Sequence, residues 1–204
     1  MSRPPEQPGL FPVLSARAPG SQLSLLGPPV PVRIASETWR SWLEDPTCRA
    51  RFDAKVYRLD GAGCWFWTGA ISGTGHASFR AASLPGRTRR GTVPGHLYAY
   101  QRAHGVIPRL GWGTENPTVC HRCDNHSCQR PDHMTLGTPA QNRHEWLARR
   151  HLTGSPLADL RGPAGRSRAI ARAIRTGLDL HEPATRINAR INAAADAGQP
   201  LQLW

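Results

Sequence analysis

The stretch His121-Arg122-Cys123-Asp124-Asn125-His126-Ser127-Cys128, then Pro131-Asp132-His133-Met134, then Gly137-Thr138 and Asn142, decides how this chain is read. Cys123, Cys128 and His133 follow one another at intervals of five. Two soft thiolates and an imidazole suit a tetrahedral zinc ion, which needs a fourth ligand from elsewhere in the chain. Pro131 and the short Asx-rich loop tighten the backbone so that these groups can converge. The intervals differ from those of a zinc finger with a recognition helix between its Cys and His pairs.

Working outward, Thr118-Val119-Cys120-His121 reads as a strand. Thr138 reads as the cap of a helix, with Pro139 in its first turn and Gln141 completing a capping box. Upstream, Cys64 to Trp67 and His76 to Arg80 look like short strands either side of the Gly-rich 68–75, and Val93 to Gly105 like a helix. Ser36 to Leu43 reads as a short helix with Ser36 as N-cap and Trp39, Trp42 and Leu43 on one face. Residues 1–35, rich in Pro and Gly, are expected to be a disordered arm, and 154–165 a linker. Two helices, Arg166 to Thr176 and Pro183 to Ala197, are expected to make 166–204 a helical appendage with a tail. That leaves one domain over 36–153, its core in 64–151.

Bulk properties agree with a small, metal-held domain. Of 204 residues, 20 are Gly and 19 Pro, and only 39% are hydrophobic, so a single large core is not expected. The 26 basic residues outnumber the 14 acidic ones, giving a formal net charge of +12 that attracts polyanions, nucleic acid foremost. Lys55 is the only lysine among those basic residues, a bias that composition alone can also produce. No signal-peptide core and no apolar run of membrane-spanning length is found, and the expected location is cytoplasmic. In a reducing compartment, Cys120, Cys123 and Cys128 interleaved with His read as metal ligation rather than disulfides.

Taken together, Cys64-Trp65-x-Trp67-x-Gly69, Gly105-x-Ile107-Pro108 and the stretch from His121 to Asn142 resemble the zinc-bearing HNH (His-Me finger) endonucleases, similar to homing endonucleases of the His-Cys box type. The resemblance covers about Cys64 to His151, under half the chain. It implies an α+β architecture with a small ββα-metal domain: two strands, a loop and a helix stapled by structural zinc. It implies His121 as general base and Asn142 as ligand of a catalytic Mg²⁺ or other divalent cation. It also implies Cys64, Cys123, Cys128 and His133 as the zinc ligands. Cys120, in a Cys-x-x-Cys with Cys123, is the competing fourth ligand; since neighbouring strand residues face opposite ways, Cys64 is favoured. The chain departs from the family at Leu97, where Arg usually follows the helix His96, and at Arg130, where Asn is common.

The implied chemistry is hydrolysis of phosphodiesters in double-stranded DNA. A His of near-neutral pKa takes the proton of a water, and a divalent cation held by a hard oxygen offsets charge on the phosphate and the leaving oxygen. An arginine is expected at the scissile phosphate, with Arg87 or Arg89 favoured over Arg80 and Arg90. His96 is read as a packing residue, His126 as solvated or near DNA, His76 as a structural or surface residue, and Cys48 as a buried or free thiol. The rival reading is a non-catalytic, zinc-stabilised DNA-binding module on the same scaffold. Finally, Gln22-Leu23-Ser24-Leu25-Leu26 resembles the peptides by which bacterial DNA enzymes dock onto the replication sliding clamp, and Leu201-Gln202-Leu203-Trp204 is a looser version.

Overall fold

Twelve regular elements follow one another in a computed structural model that describes residues 33–83 and 91–200. The expected arm (apart from its last few residues), Arg87, Arg89, Arg90 and both clamp-like peptides lie outside the described residues.

Helices α1 (Ser36–Glu44) and α2 (Pro46–Asp53) come first. Ser36 is the first residue inside α1 rather than its cap, and the N-cap position falls on Ala35, which has no side-chain oxygen to offer. Asp45 caps α2 through Thr47 N–H at 2.9 Å, with Pro46 in the first turn. Three antiparallel pairs follow: β1 (Val56–Arg58) with β2 (Trp65–Trp67), β3 (Ser78–Arg80) with β4 (Thr92–Pro94), and β5 (Thr118–His121) with β6 (Met134–Gly137). Helix α3 (Gly95–His104) runs on from β4, and α4 (Pro139–Arg149) from β6 under the Thr138–Gln141 capping box. The fold is thus mixed α and β with small sheets.

Strand β2 lies between two cores because its side chains alternate. Trp67, fully buried, joins Phe52, Phe79 and Tyr98, whose ring centroids lie 4.8–5.9 Å apart, with Trp39 and Trp42 of α1 in the same cluster. Phe66 points the other way, into a second cluster with Ile170, Ile174, Ile187 and Ile191. Those isoleucines belong to α5 (Gly162–Asp179) and α6 (Ala184–Asp196).

The expected linker and appendage therefore need correction. Residues 154–165 contain a single 3-10 turn, Pro156–Ala158, and the first turn of α5, which begins four residues before Arg166. Gly162-Pro163-Ala164-Gly165, the end of the expected linker, opens the helix, since proline in the first turn loses no hydrogen bond. Helices α5 and α6 close the outer face of β1–β2, so they complete the domain. Asp159, buried, receives Arg161 at 2.6 Å and Arg166 at 3.4 Å and fixes the entry to α5.

Candidate functional site

Cys64 reaches the other ligands because β2 also pairs with 127–129. Gln129 N–H donates to the Trp65 carbonyl at 2.7 Å and Trp67 N–H to the Ser127 carbonyl at 3.0 Å, bridging Phe66 to Cys128. The β5–β6 hairpin sets the remaining geometry, since Arg122 N–H donates to the His133 carbonyl at 2.8 Å. The ligand atoms of Cys64, Cys123, Cys128 and His133 all lie within 4.8 Å of one another. His133 Nδ1 is 3.5 Å from Cys64 Sγ and 3.7 Å from Cys128 Sγ. A tetrahedral zinc with its usual S and N bond lengths would set such atoms about 3.6 Å apart.

The chemistry of the donors also fits a cation. Cys128 and Cys64 both donate to Cys123, holding its thiol well below the usual range. The same contact with Cys123 pushes Cys64 up to about 12 and Cys128 higher still, and burial adds to both. Three crowded sulfurs cannot all ionise unless a positive charge sits among them. The Cys₃His cluster could hold a structural metal such as zinc. Its surround is prepared too. The Asn125 side-chain amide donates to Cys64 Sγ at 3.4 Å, and Arg130 N–H to Cys128 Sγ at 3.5 Å. The Arg130 guanidinium donates to the Gly63 carbonyl at 3.0 Å and lies over Trp65, bracing the turn that leads to Cys64. Cys120 is buried on the face of β5 opposite His121, and Cys48 is in the main core, so neither is among these ligands.

His121 ends β5 and is 7% exposed. Its Nε2 lies 3.0 Å from the Cys128 carbonyl. A carbonyl only accepts, so Nε2 carries the proton and Nδ1 keeps the lone pair. Burial holds this imidazole below its ordinary range, with Cys123 opposing the shift. The metal-ligand loop thereby fixes the tautomer of His121.

Asn142 is exposed in the first turns of α4 and lines, with His121, Asp124, Arg143, His76 and His126, a cleft of about 240 Å³. Helix α4 buries none of its side chains, so packing does not hold it. Its start is held by the capping box and its end by Arg149, which grips Asp124 through Nε and Nη2 at 2.9 Å and reaches the His121 carbonyl at 3.4 Å. Asp124 takes a left-handed φ of 57°, which a short polar side chain tolerates. Sequence reasoning missed this clamp, although an acid in the His-Cys loop and an Arg on the following helix were its signal.

Sequence reasoning also missed a histidine cluster. His76 lies between His96 and His126, at centroid distances of 4.5 and 4.6 Å, and 5.7 Å from His121; His96 is 5.1 Å from His121. His76 and His126 are thus neighbours of the cleft rather than independent surface residues. Thr74 ties them down, its hydroxyl meeting His76 Nδ1 at 2.9 Å and its carbonyl accepting from His126 Nδ1 at 2.7 Å. Burial, then mutual repulsion, depresses His76 and His96 well below the usual imidazole range. The four rings come from four segments, and no spacing in one dimension announces them. Arg80, the one described arginine of the phosphate candidates, is exposed at the end of β3.

Two curated proteins of Escherichia phage T7 are similar to this chain. Protein 2.8 is 29% identical over 103 residues, covering 50% of this chain and 63% of the relative. Protein 7.7 is 29% identical over 96 residues, covering 47% and 64%. The chain thus matches less than two thirds of either relative's length. No family model matches, and no solved structure does. Among the described residues, no helix is long and apolar enough to cross a membrane.

Proposed function

We propose that this protein is a metal-dependent DNA endonuclease of the HNH, His-Me finger class, built on a ββα-metal unit of β5, β6 and α4. The observation that carries the reading is His121, its tautomer fixed by the Cys128 carbonyl, facing the same cleft as Asn142. A binding module needs neither a buried imidazole with a free lone pair nor a hard-oxygen ligand beside it on a helix that buries none of its side chains.

In this mechanism Nδ1 of His121 accepts a proton from a water as its oxygen attacks phosphorus. A new P–O bond forms, the bond to the 3′ oxygen breaks, and that oxygen takes a proton from solvent, leaving a 5′ phosphate and a 3′ hydroxyl. The Cys128 carbonyl, accepting from Nε2–H, steadies the imidazolium that results. Asn142 would hold a divalent cation such as Mg²⁺ through its side-chain oxygen, and the bound ion would supply positive charge to the phosphate and the leaving oxygen. Arg149 keeps Asn142 in register by fixing α4 to the loop after His121. Cys64, Cys123, Cys128 and His133 would hold a structural zinc that braces the loop and takes no part in the reaction. Arg143, on the lip of the cleft, joins Arg87 and Arg89 as a candidate contact to the scissile phosphate. Similarity to two phage proteins fits a nuclease carried by a phage or mobile element.

The test is a Mg²⁺ titration of single-turnover cleavage with the wild type and Asn142→Ala. The variant should need a higher Mg²⁺ concentration and recover part of its rate when it is supplied. An unchanged Mg²⁺ response would remove Asn142 from the site.

A further inference from the structure

Arg168, Arg172 and Arg175 recur on α5 at i, i+4 and i+7, so they form one ridge, and all three are exposed. Among the described residues, none of them forms an ion pair. Other arginines of the chain do: Arg149, Arg161, Arg166 and Arg190 each meet a carboxylate within 3.4 Å. Like charges one helical turn apart repel, which costs a few tenths of a kcal/mol per pair in an isolated helix. An unneutralised ridge of this kind offers a binding surface to an anion outside the chain. The acidic Asp179 stands one turn beyond Arg175, at the C-terminal end of the ridge, and limits it there.

Grooves that share lining residues link the ridge to the candidate active site. Its groove is walled by Gly69, Ala70 and Ile71. Arg175 donates to the Thr68 carbonyl at 2.7 Å and Arg168 approaches the Ser72 carbonyl at 3.5 Å, so both guanidinium groups are held against this loop. Ala70 and Ile71 also line the next groove, which contains His76 and His96, and His76 lines the His121–Asn142 cleft. Seven residues of helix extend about 10 Å. A duplex advances about 3.4 Å along its axis per base step, so a ridge lying along the axis spans about three steps.

We propose that Arg168, Arg172 and Arg175 form a phosphate track that binds duplex DNA alongside the His121 cleft. The track gives the C-terminal helices a second role besides closing the β1–β2 face. It rests on the nuclease reading for the nature of its ligand, and it reads no sequence, because phosphate contacts position a duplex without distinguishing its bases.

The experiment measures affinity for a 30-base-pair duplex by fluorescence anisotropy from 50 to 200 mM salt, without added divalent cation. The proteins are the wild type, the triple variant Arg168→Gln/Arg172→Gln/Arg175→Gln, Arg172→Gln alone, and Arg186→Gln as a control for charge lost elsewhere. Arg172→Gln removes no hydrogen bond to the protein seen among the described residues, so it leaves the loop intact. Each phosphate contact contributes about 0.9 to the slope of log affinity against log salt. Over this range the triple variant should therefore lose about 40-fold less affinity than wild type, and Arg172→Gln about 3-fold less. Arg186→Gln should follow wild type, and the triple variant should still cut plasmid when protein is saturating. Salt slopes equal to wild type in both ridge variants would overturn the track, as would ridge-dependent binding of duplex RNA with none of DNA. If the wild type cuts while ridge variants bind normally, the track fails and the nuclease reading stands. If binding depends on the ridge but nothing is cut, the track stands and the nuclease reading fails.

Discussion

Ile174→Ala tests whether α5 and α6 complete the domain or merely trail from it. Ile174 is fully buried, and around it stand Phe66 of β2, Ile170 and, from α6, Ile187 and Ile191. The substitution removes three carbons at about 0.8 kcal/mol each, or about 2.4 kcal/mol. The surrounding side chains relax only partly into the void, so the cavity adds to this, for a total of about 3–4 kcal/mol. For a folded chain of this size that is a fall in melting temperature of roughly 6–16 °C. Since Cys64 is packed against the same cluster, the variant should also release zinc faster to a chelator. Thermal unfolding followed by circular dichroism gives the first number, and a colorimetric zinc indicator the second. A loss under about 1 kcal/mol would refute the reasoning. So would two separate transitions with the metal-bearing part melting as in wild type, since the helices would then be an independent appendage.

Three further expectations follow from the site. Metal analysis should find one tightly held zinc per chain, and Cys128→Ser should leave the domain unfolded by circular dichroism, because metal binding is coupled to folding; a folded, zinc-free variant would contradict this. Arg149→Ala should lower cleavage through misplacement of Asn142 while zinc content stays the same, and a variant that cleaves at the wild-type rate would show that α4 is held otherwise. His96 is depressed in the folded protein, so the unfolded chain takes up its proton first as pH falls below about 6.5, and the stabilising contribution, complete above that pH, is lost toward the lower folded value at up to about 1.4 kcal/mol per pH unit. Urea unfolding at pH 7.5, 6.5 and 5.5 should accordingly fall less steeply for His96→Gln than for wild type, and parallel curves would show that His96 does not titrate differently on folding.

The metal cluster was legible because its chemistry is written at short range. Thiolates and imidazole five residues apart leave few alternatives, and the capping box Thr138-x-x-Gln141 likewise marks its helix locally. The ends of elements were less legible. Asp45-Pro46 announced α2 by its cap and first-turn proline, but the helix carries only two buried residues and so no apolar stripe. Gly162-Pro163 was mistaken for a linker because the same residues serve turns and helix starts. What remained out of reach depends on tertiary convergence. The contact between Phe66 and the α5–α6 pair joins residues about a hundred positions apart, and the four histidines meet only once β2, β3, α3 and β5 are placed. The tautomer of His121 also rests on a carbonyl whose position no side-chain pattern encodes.

If His121 activates a water for phosphodiester hydrolysis, removing its imidazole should all but stop cleavage of supercoiled plasmid. Wild type and His121→Ala, matched for zinc content and assayed at temperatures below both melting points, are incubated with plasmid with and without Mg²⁺. Removing His121 leaves the Cys128 carbonyl unpaired, so a stability loss of about 1–3 kcal/mol is expected and must be controlled. The expected result is Mg²⁺-dependent nicking or linearisation by wild type, and a rate about 100- to 10,000-fold lower for the folded variant. Cleavage at the wild-type rate by His121→Ala, or none by wild type with any divalent cation, would contradict the account.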